Sequence, residues 1–268
     1  MWIKIFMVTS LILSFNILPA QAALIAGTSS GINVVYDVDT NITWTSDANL
    51  LNTMQTNRGY DFVVNEIIAK SPVVNSLPNQ FDSPPLSGSH TVSFGDFAPG
   101  GYVSWFGAQA FVNYLNTVNY AGSSQWILPI TISSDGTYQF RNDYYQTDSY
   151  LGHLYYDELH LSAGAVFGTG GIFGNGILSA GQQRDIDPFV NVQAKAYWST
   201  ETTWSDVSWY LNTVDGGQRD TYKNISELYV WAVSPGNLLV TVPLPSSIWL
   251  FGFGIIGLYR LKHHSNIF

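Results

Sequence analysis

The sequence contains no cysteine and few charged residues, which make up 11% of its 268 residues. The absence of cysteine excludes disulfide bonds, thiol catalysis and metal sites built from thiolates. Basic residues are scarce as well, because ten lysines and arginines are outnumbered by 19 aspartates and glutamates. The sequence also lacks a phosphate-binding loop, a Gly-x-Ser-x-Gly turn and a Ser-His-Asp signature, so it indicates no familiar hydrolase or nucleotide site.

Both ends of the chain carry apolar runs that differ from the part between them. Residues 1–22 contain Lys4, then an apolar stretch, then Ala20-Gln-Ala22, which is the pattern of a cleaved secretory signal peptide. Residues 242–268 begin with Val242, Pro243, Leu244 and Pro245 and continue as a glycine-containing apolar run with basic residues at its end. As a helix this run would span roughly 20 Å, which is short for a bilayer. The sequence predicts export and a C-terminal hydrophobic helix.

The C-terminal segment resembles the PEP-CTERM sorting signal in its VPLPA form, although Ser246 replaces the usual alanine and no Pro-Glu-Pro occurs. This resemblance implies export through the inner membrane and transient retention there. It further implies cleavage near Pro245 by an exosortase-type protease and release to the cell surface or the extracellular space. A plain C-terminal membrane anchor is the alternative.

Residues 23–241 have the length of one ordinary domain. They keep all 19 acidic residues and seven of the ten basic ones, a formal net charge of −12, which excludes a nucleic-acid partner. The spacing of Phe62, Glu66 and Lys70 along one side predicts a helix over 59–70. Ser104 is the predicted cap of a second helix, in which Trp105, Ala108, Val112 and Leu115 repeat at helical spacing. A third helix is predicted over 148–159. Residues 71–101 read as an irregular connection. Strands are predicted over 32–36, 42–44, 125–130, 189–198, 208–214 and 228–233. Helices followed by a strand meander favour an α+β fold.

Seven motifs recur in an order typical of the bacterial Lcl C-terminal-like domain: VVYDVDTNITWTSDAN, WFGAQAFVNYLN, WILP, YLGHLYYDEL, AYWSTE, WYLN and YVWAVSPG. The chain resembles this family over most of residues 32–237. The resemblance implies a C-type-lectin-like scaffold, two helices against a looped and mainly antiparallel sheet, and a non-enzymatic role in binding extracellular polysaccharide. Ile127 and Ser234 stand where the family has arginine, so an anion contact or a structural ion pair is lost there.

The stretch YDVDTNITW has acidic or amide side chains at alternating positions, as calcium loops do. From Asp37 an EF-hand would need glycine where Ile42 stands and glutamate where Ala48 stands, so it is not an EF-hand. A turn in which the side chains bond nearby amides is the favoured interpretation. A nonstandard calcium site with Asp47 or Asn49 is the alternative; otherwise no cofactor is expected.

His153, Asp157 and His160 lie on one face of the predicted helix 148–159 and its end, where they could hold zinc or iron. The alternative is a histidine that packs in the core or caps a neighbouring element. Carboxylate pairs such as Asp157 with Glu158 leave a hydrolase open as another alternative.

Aromatic and polar residues in the C-terminal strands are candidates for a glycan site. Aromatic rings stack on the C–H faces of sugars, while carboxylates and amides bond the hydroxyls. The candidates are Trp204, Trp209, Tyr222, Glu201, Asp206 and Arg219. Aromatic residues in strands are also common in cores, and a purely structural matrix or adhesin protein is the third alternative.

Overall fold

The computed structural model describes residues 24–131, 143–164, 186–202 and 204–239. These residues form an α+β structure in which antiparallel sheets and helices alternate along the chain. The helices are α1 Leu50–Arg58, α2 Tyr60–Lys70, α3 Trp105–Thr117 and α4 Tyr150–His153, which continues as a π-helical turn over Leu154–Glu158. The strands are β1 Leu24–Ser29, β2 Ile32–Asp37, β3 Ile42–Thr45, β4 Val73–Asn75, β5 Ser89–Thr91, β6 Phe97–Ala98, β7 Tyr102–Val103, β8 Ala196–Glu201, β9 Val207–Asn212, β10 Gly217–Tyr222 and β11 Val233–Pro235.

The predicted signal peptide, the sorting motif Val242 to Pro245 and the C-terminal hydrophobic helix lie outside the described residues. Within the described part of the chain, no helix has the length and apolar character needed to cross a membrane.

Two larger sheets organise the strands. The four-stranded sheet has the order β1-β2-β3-β11, and β11 joins it from near the far end of the chain by pairing Val233 with Trp44. The three-stranded sheet has the order β10-β9-β8. Both sheets are antiparallel throughout, as the sequence predicted.

The buried side chains form two clusters. One surrounds α2 and α3, and the α3 residues that repeat at helical spacing in the sequence are all buried in it. The other contains Trp44, Tyr197 and Trp231. The ring centroid of Trp231 lies 5.0 Å from that of Trp44 and 5.4 Å from that of Tyr197. Buried aromatic rings at such distances contribute strongly to a core.

Several predicted strands are shorter than expected. Residues 125–130 form one isolated bridge, between Ile127 and Val233, and no strand. The Trp126 amide donates to the Asn116 side chain and so is not available to a neighbouring strand. The predicted strand 189–198 begins only at Ala196, since Asn191 adopts a φ of 57°. In the predicted strand 228–233, Leu228 and Tyr229 form isolated bridges to Val103 and Tyr197, and the last residue opens β11. Helix α1 was not predicted.

Candidate functional site

An open cleft of about 710 Å³ lies beside the three-stranded sheet. The turn between β8 and β9 and the end of β10 form its walls. Its described lining consists of Trp204, Ser205, Asp206, Val207, Asp220, Thr221 and Tyr222. In the β9–β10 register, Tyr222 lies opposite Val207, so the end of β10 is held next to the turn.

The aromatic residue Trp204 is held in place by its own turn. Its amide donates to the Thr202 hydroxyl at 2.9 Å, and its carbonyl accepts from the same hydroxyl at 2.9 Å. The Val207 amide donates to that carbonyl as well, at 3.2 Å. The side chain of Trp204 nonetheless remains 61% exposed. A fixed backbone with an exposed ring is suited to stacking on a ligand.

Tyr222 supplies a second exposed ring in the cleft, with 53% of the residue accessible to solvent. Its ring meets Phe81 edge-on, with the ring centroids 6.1 Å apart. Phe81 belongs to the connection between β4 and β5, so this connection supports the cleft from the side. Its neighbour Gln80 donates to the Asp206 carboxylate from its amide at 2.9 Å and from its side chain at 3.1 Å.

The cleft is acidic. Asp206 and Asp220 both line it, and the described lining contains no lysine or arginine. Burial raises the pKa of Asp220 above its ordinary value of 3.8, although a backbone hydrogen bond opposes this effect. Such a surface accepts hydrogen bonds from hydroxyl or ammonium groups and repels carboxylate and sulfate.

The structure brings three of the six glycan candidates together: Trp204, Asp206 and Tyr222. Trp209 is only 2% exposed, so it is a core residue whose ring is not available for stacking. Arg219 does not line the cleft either. Its guanidinium donates to the Asp215 carboxylate at 2.6 and 3.0 Å. Glu201 ends β8, and its side chain is outside the described part.

The sequence reasoning missed Asp220. Side chains alternate between the two faces of a strand, so Asp220 and Tyr222 share one face of β10. This alternation was a usable signal, but the segment from Gly217 to Tyr222 was not recognised as a strand.

The loop that resembles a calcium site is a turn. Asp37 Oδ1 accepts from the amides of Asp39 and Thr40 at 3.0 and 3.1 Å, which confirms the favoured interpretation. Asp47 accepts instead from the Asn49 amide at 2.9 Å and from Asn191 at 3.0 Å. The side chain of Asp47 is thus bonded within its own turn and to Asn191.

A second polar cluster surrounds His153. Its Nδ1 lies 3.0 Å from Asp157 Oδ2, so two of the three predicted metal ligands are adjacent. His160 lies beyond the π turn with a φ of 49° and an exposed side chain, and it is not part of the metal-capable group found among the described residues. Glu158 Oε1 approaches His153 Nε2 at 3.3 Å instead.

The carboxylates control the charge of this imidazole. The hydrogen bond to Glu158 outweighs the opposing effect of burial and, with the charges of Asp37 and Asp157, raises the pKa of His153 to about 9. His153 is thus the cationic centre of the cluster at neutral pH.

The two positions where the resembled family has arginine lie in the interior. Ser234 is buried, and its hydroxyl is 2.8 Å from the Ser123 hydroxyl. Ile127 is half-buried against the cluster that contains Trp231. Neither position contacts the cleft, so the loss of these arginines does not change its lining.

No protein-family model, curated protein or solved structure matches this chain. The cleft and the histidine cluster are the features of the described residues that bear on function.

Proposed function

We propose that the chain is an exported protein that binds extracellular polysaccharide in the Trp204 cleft without hydrolysing it. The observation that carries the proposal is the pairing of two exposed rings, Trp204 and Tyr222, with two carboxylates in one open cleft. Rings would stack on sugar faces while Asp206 and Asp220 accept hydrogen bonds from hydroxyls. An open cleft suits an internal stretch of a long polymer.

The charge of the cleft favours neutral or amino sugars. Two carboxylates without a lining cation would repel the carboxylate of a uronic acid or a sulfate group.

The wider biological setting is also a proposal. The motif resemblance supports a C-type-lectin-like scaffold for the α+β fold. The segment from Val242 to Pro245 supports sorting at the inner membrane and cleavage by an exosortase-type protease, followed by release to the cell surface or matrix. Mass spectrometry of the mature protein's C-terminus would test cleavage near Pro245 directly.

Calorimetric titration with the producing cell's own exopolysaccharide would test the binding proposal. Full-length protein should give saturable heat both in calcium and in EDTA. Trp204→Ala and Tyr222→Ala should each weaken binding roughly tenfold, because each removes one stacking surface. Phe62→Ala is the matched control, since Phe62 is also 53% exposed but lies on α2.

The same samples distinguish the alternatives. Release of reducing ends that disappears in Asp206→Asn or Asp220→Asn would replace the binding proposal with a carboxylate hydrolase. Unchanged affinity in both aromatic variants, or no heat with the native protein, would overturn the cleft proposal and favour a structural matrix role.

A further inference from the structure

Three side chains with metal-binding atoms meet where β2 ends and the π-helical turn begins. Asp37, His153 and Glu158 each offer one ligand atom, and these atoms all lie within 4.8 Å of one another. The imidazole nitrogen is 3.3 Å from the glutamate oxygen and 4.0 Å from the aspartate oxygen. Tetrahedral ligands at zinc bond lengths of ~2.0–2.2 Å lie roughly 3.3–3.6 Å apart, so small side-chain shifts would complete the geometry.

Asp37 supplies an independent indication that a ligand belongs here. The residue is 0% exposed, and its Oδ1 already accepts the two amides of the turn. Its Oδ2 is buried and has no hydrogen-bond partner. Buried polar atoms are nearly always bonded, so an unsatisfied carboxylate oxygen directed at an imidazole requires an explanation.

The cluster brings two buried acidic side chains close together. Asp37 and Glu158 are both buried, and both approach the His153 imidazole. Neighbouring buried carboxylates are energetically unfavourable unless a cation or hydrogen bonds compensate them. A divalent cation bound by a neutral imidazole and the two carboxylates would balance the charge fully.

The imidazole is oriented as a metal ligand would be. His153 Nδ1 lies 3.0 Å from Asp157 Oδ2, and Asp157 is partly exposed at the edge of the cluster. Metal-bound histidines commonly donate their other ring N–H to a carboxylate in this way, which fixes the tautomer and directs the remaining nitrogen inward.

The π-helical turn is what brings Glu158 to the site. In a regular α-helix the side chain five residues after His153 would point about 140° away from it. The hydrogen bond from the Leu159 amide to the Leu154 carbonyl, 3.1 Å long, closes a five-residue turn instead. The wider turn places Asp157 and Glu158 on the two ring nitrogens together.

We propose that Asp37, His153 and Glu158 bind one divalent transition-metal ion of the zinc class, with Asp157 as the positioning residue for the imidazole. One nitrogen and two carboxylate oxygens suit zinc, whereas calcium prefers six to eight oxygen ligands. The ion would join the end of β2 to the π turn. This inference is independent of the polysaccharide proposal.

Metal titration of the full chain tests the proposal. After treatment with a chelator, the protein should bind one zinc ion per chain, measured by calorimetry and by metal analysis after desalting. Asp37→Asn and Glu158→Gln should each weaken zinc binding more than about 100-fold, while Asp157→Asn should cost roughly 10–100-fold. Asn at position 37 keeps an oxygen for the two turn amides, so the turn should survive.

His160→Gln is the matched control, because it removes an exposed imidazole from the same segment. It should leave zinc affinity unchanged. Equal losses in His160→Gln and Asp37→Asn, tighter binding of calcium than of zinc, or identical zinc affinity in native protein and Asp37→Asn would each overturn the proposal.

Thermal unfolding tests zinc binding on the native protein first and then on two variants, so the test does not depend on a single variant that folds well. Zinc should raise the Tm of the native protein, because a ligand that binds only the folded state stabilises it. Glu158→Gln and Asp37→Asn should melt cooperatively in chelator but show no zinc-dependent rise. A zinc-dependent rise of native size in both variants would place the ion elsewhere.

Discussion

At the scale of single residues, His90 shows how an ion pair is built into this acidic chain. Its Nδ1 lies 2.8 Å from the Phe81 carbonyl and its Nε2 lies 3.2 Å from Asp96 Oδ2. The ring also stacks on Phe106 with centroids 3.8 Å apart. Burial alone would lower the pKa of His90, but the bonds to Asp96 and Phe81, with the charge of Asp82, raise it above 6.5.

Asp96 is shifted in the opposite direction. Burial opposes the shift, but hydrogen bonds from His90, Ser104 and the Ser93 amide lower its pKa below 3.8. The stabilisation from His90 is therefore complete below about pH 6.5 and is lost as the pH rises through its folded-state pKa. The stabilisation from Asp96 is present above about pH 3.8 and is lost as the pH falls through its own folded-state pKa.

We expect His90→Gln to lower the free energy of unfolding at pH 6 by about 1.5–3 kcal/mol, the contribution of a hydrogen bond to a charged group. The difference between native protein and variant should shrink as the pH rises from 6 to 9. Urea unfolding at several pH values measures it. A difference that stays constant over this range would show that His90 acts only through packing.

The two tryptophans near the cleft show the limit of residue-level prediction. Trp204 and Trp209 are equally good stacking candidates in the sequence, but one is 61% exposed and the other 2% exposed. Trp209 lies within β9, whereas Trp204 lies in the turn before that strand. Only the placement of the three-stranded sheet determines which ring reaches solvent.

At the scale of elements, the start of α3 shows how a helix is fitted to its surroundings. Ser104 caps the helix as predicted, because its hydroxyl accepts from the Gly107 amide at 3.0 Å. The same hydroxyl donates to Asp96 Oδ1 at 2.7 Å. A Cβ added at Gly107 would overlap the Asp96 carbonyl oxygen, so this glycine permits the close approach.

Gly107→Ala should therefore destabilise the protein, although glycine to alanine in a helix normally stabilises by about 1 kcal/mol. We expect a net loss of about 1–3 kcal/mol, the usual cost of overpacking, in urea unfolding. Gly95→Ala is the control, since a Cβ there would meet the Ser93 hydroxyl at an ordinary 3.4 Å. A stabilised Gly107→Ala variant would contradict this account of the contact.

Prediction of elements succeeded where one face has a strong apolar pattern, as in α2 and α3. Helix α1 was missed because it buries only Leu50, Leu51 and Gln55 and lacks a capping side chain. The failed strand at 125–130 has suitable residues, but Asn116 supplies a side-chain partner from α3 that competes with the ladder. Such long-range partners are invisible in a local pattern.

At the scale of the whole molecule, the chain closes on itself through β11. The Thr45 amide donates to the Ala232 carbonyl at 3.1 Å, and Val233 pairs with Trp44. Beyond the strand, the Gly236 carbonyl accepts from the Thr43 hydroxyl at 2.7 Å.

A chain ended after Thr241 should keep the native Tm, whereas a chain ended after Ala232 should lose cooperative unfolding because β11 is absent. Thermal circular dichroism on both forms measures this. Loss of folding in the longer form would mean that residues 242–268 contribute to stability and would argue against their removal during sorting.

Local patterns in the sequence were enough to predict the α+β class, antiparallel strands, helices α2 and α3 and the turn at Asp37, because these depend on local periodicity and short-range hydrogen bonds. The sequence also predicted Trp204, Asp206 and Tyr222, which the tertiary structure brings into one cleft.

The three-dimensional structure was needed to separate Trp209 and Arg219 from that cleft and to add Asp220 to it. It also showed that the residues grouped with His153 are Asp37 and Glu158, and that His160 is not among them. Asp37 lies far from His153 in the chain, and Glu158 reaches it through a turn wider than an α-helix. Contacts of this kind depend on how β2 packs against the π turn, so helical spacing alone could not identify them.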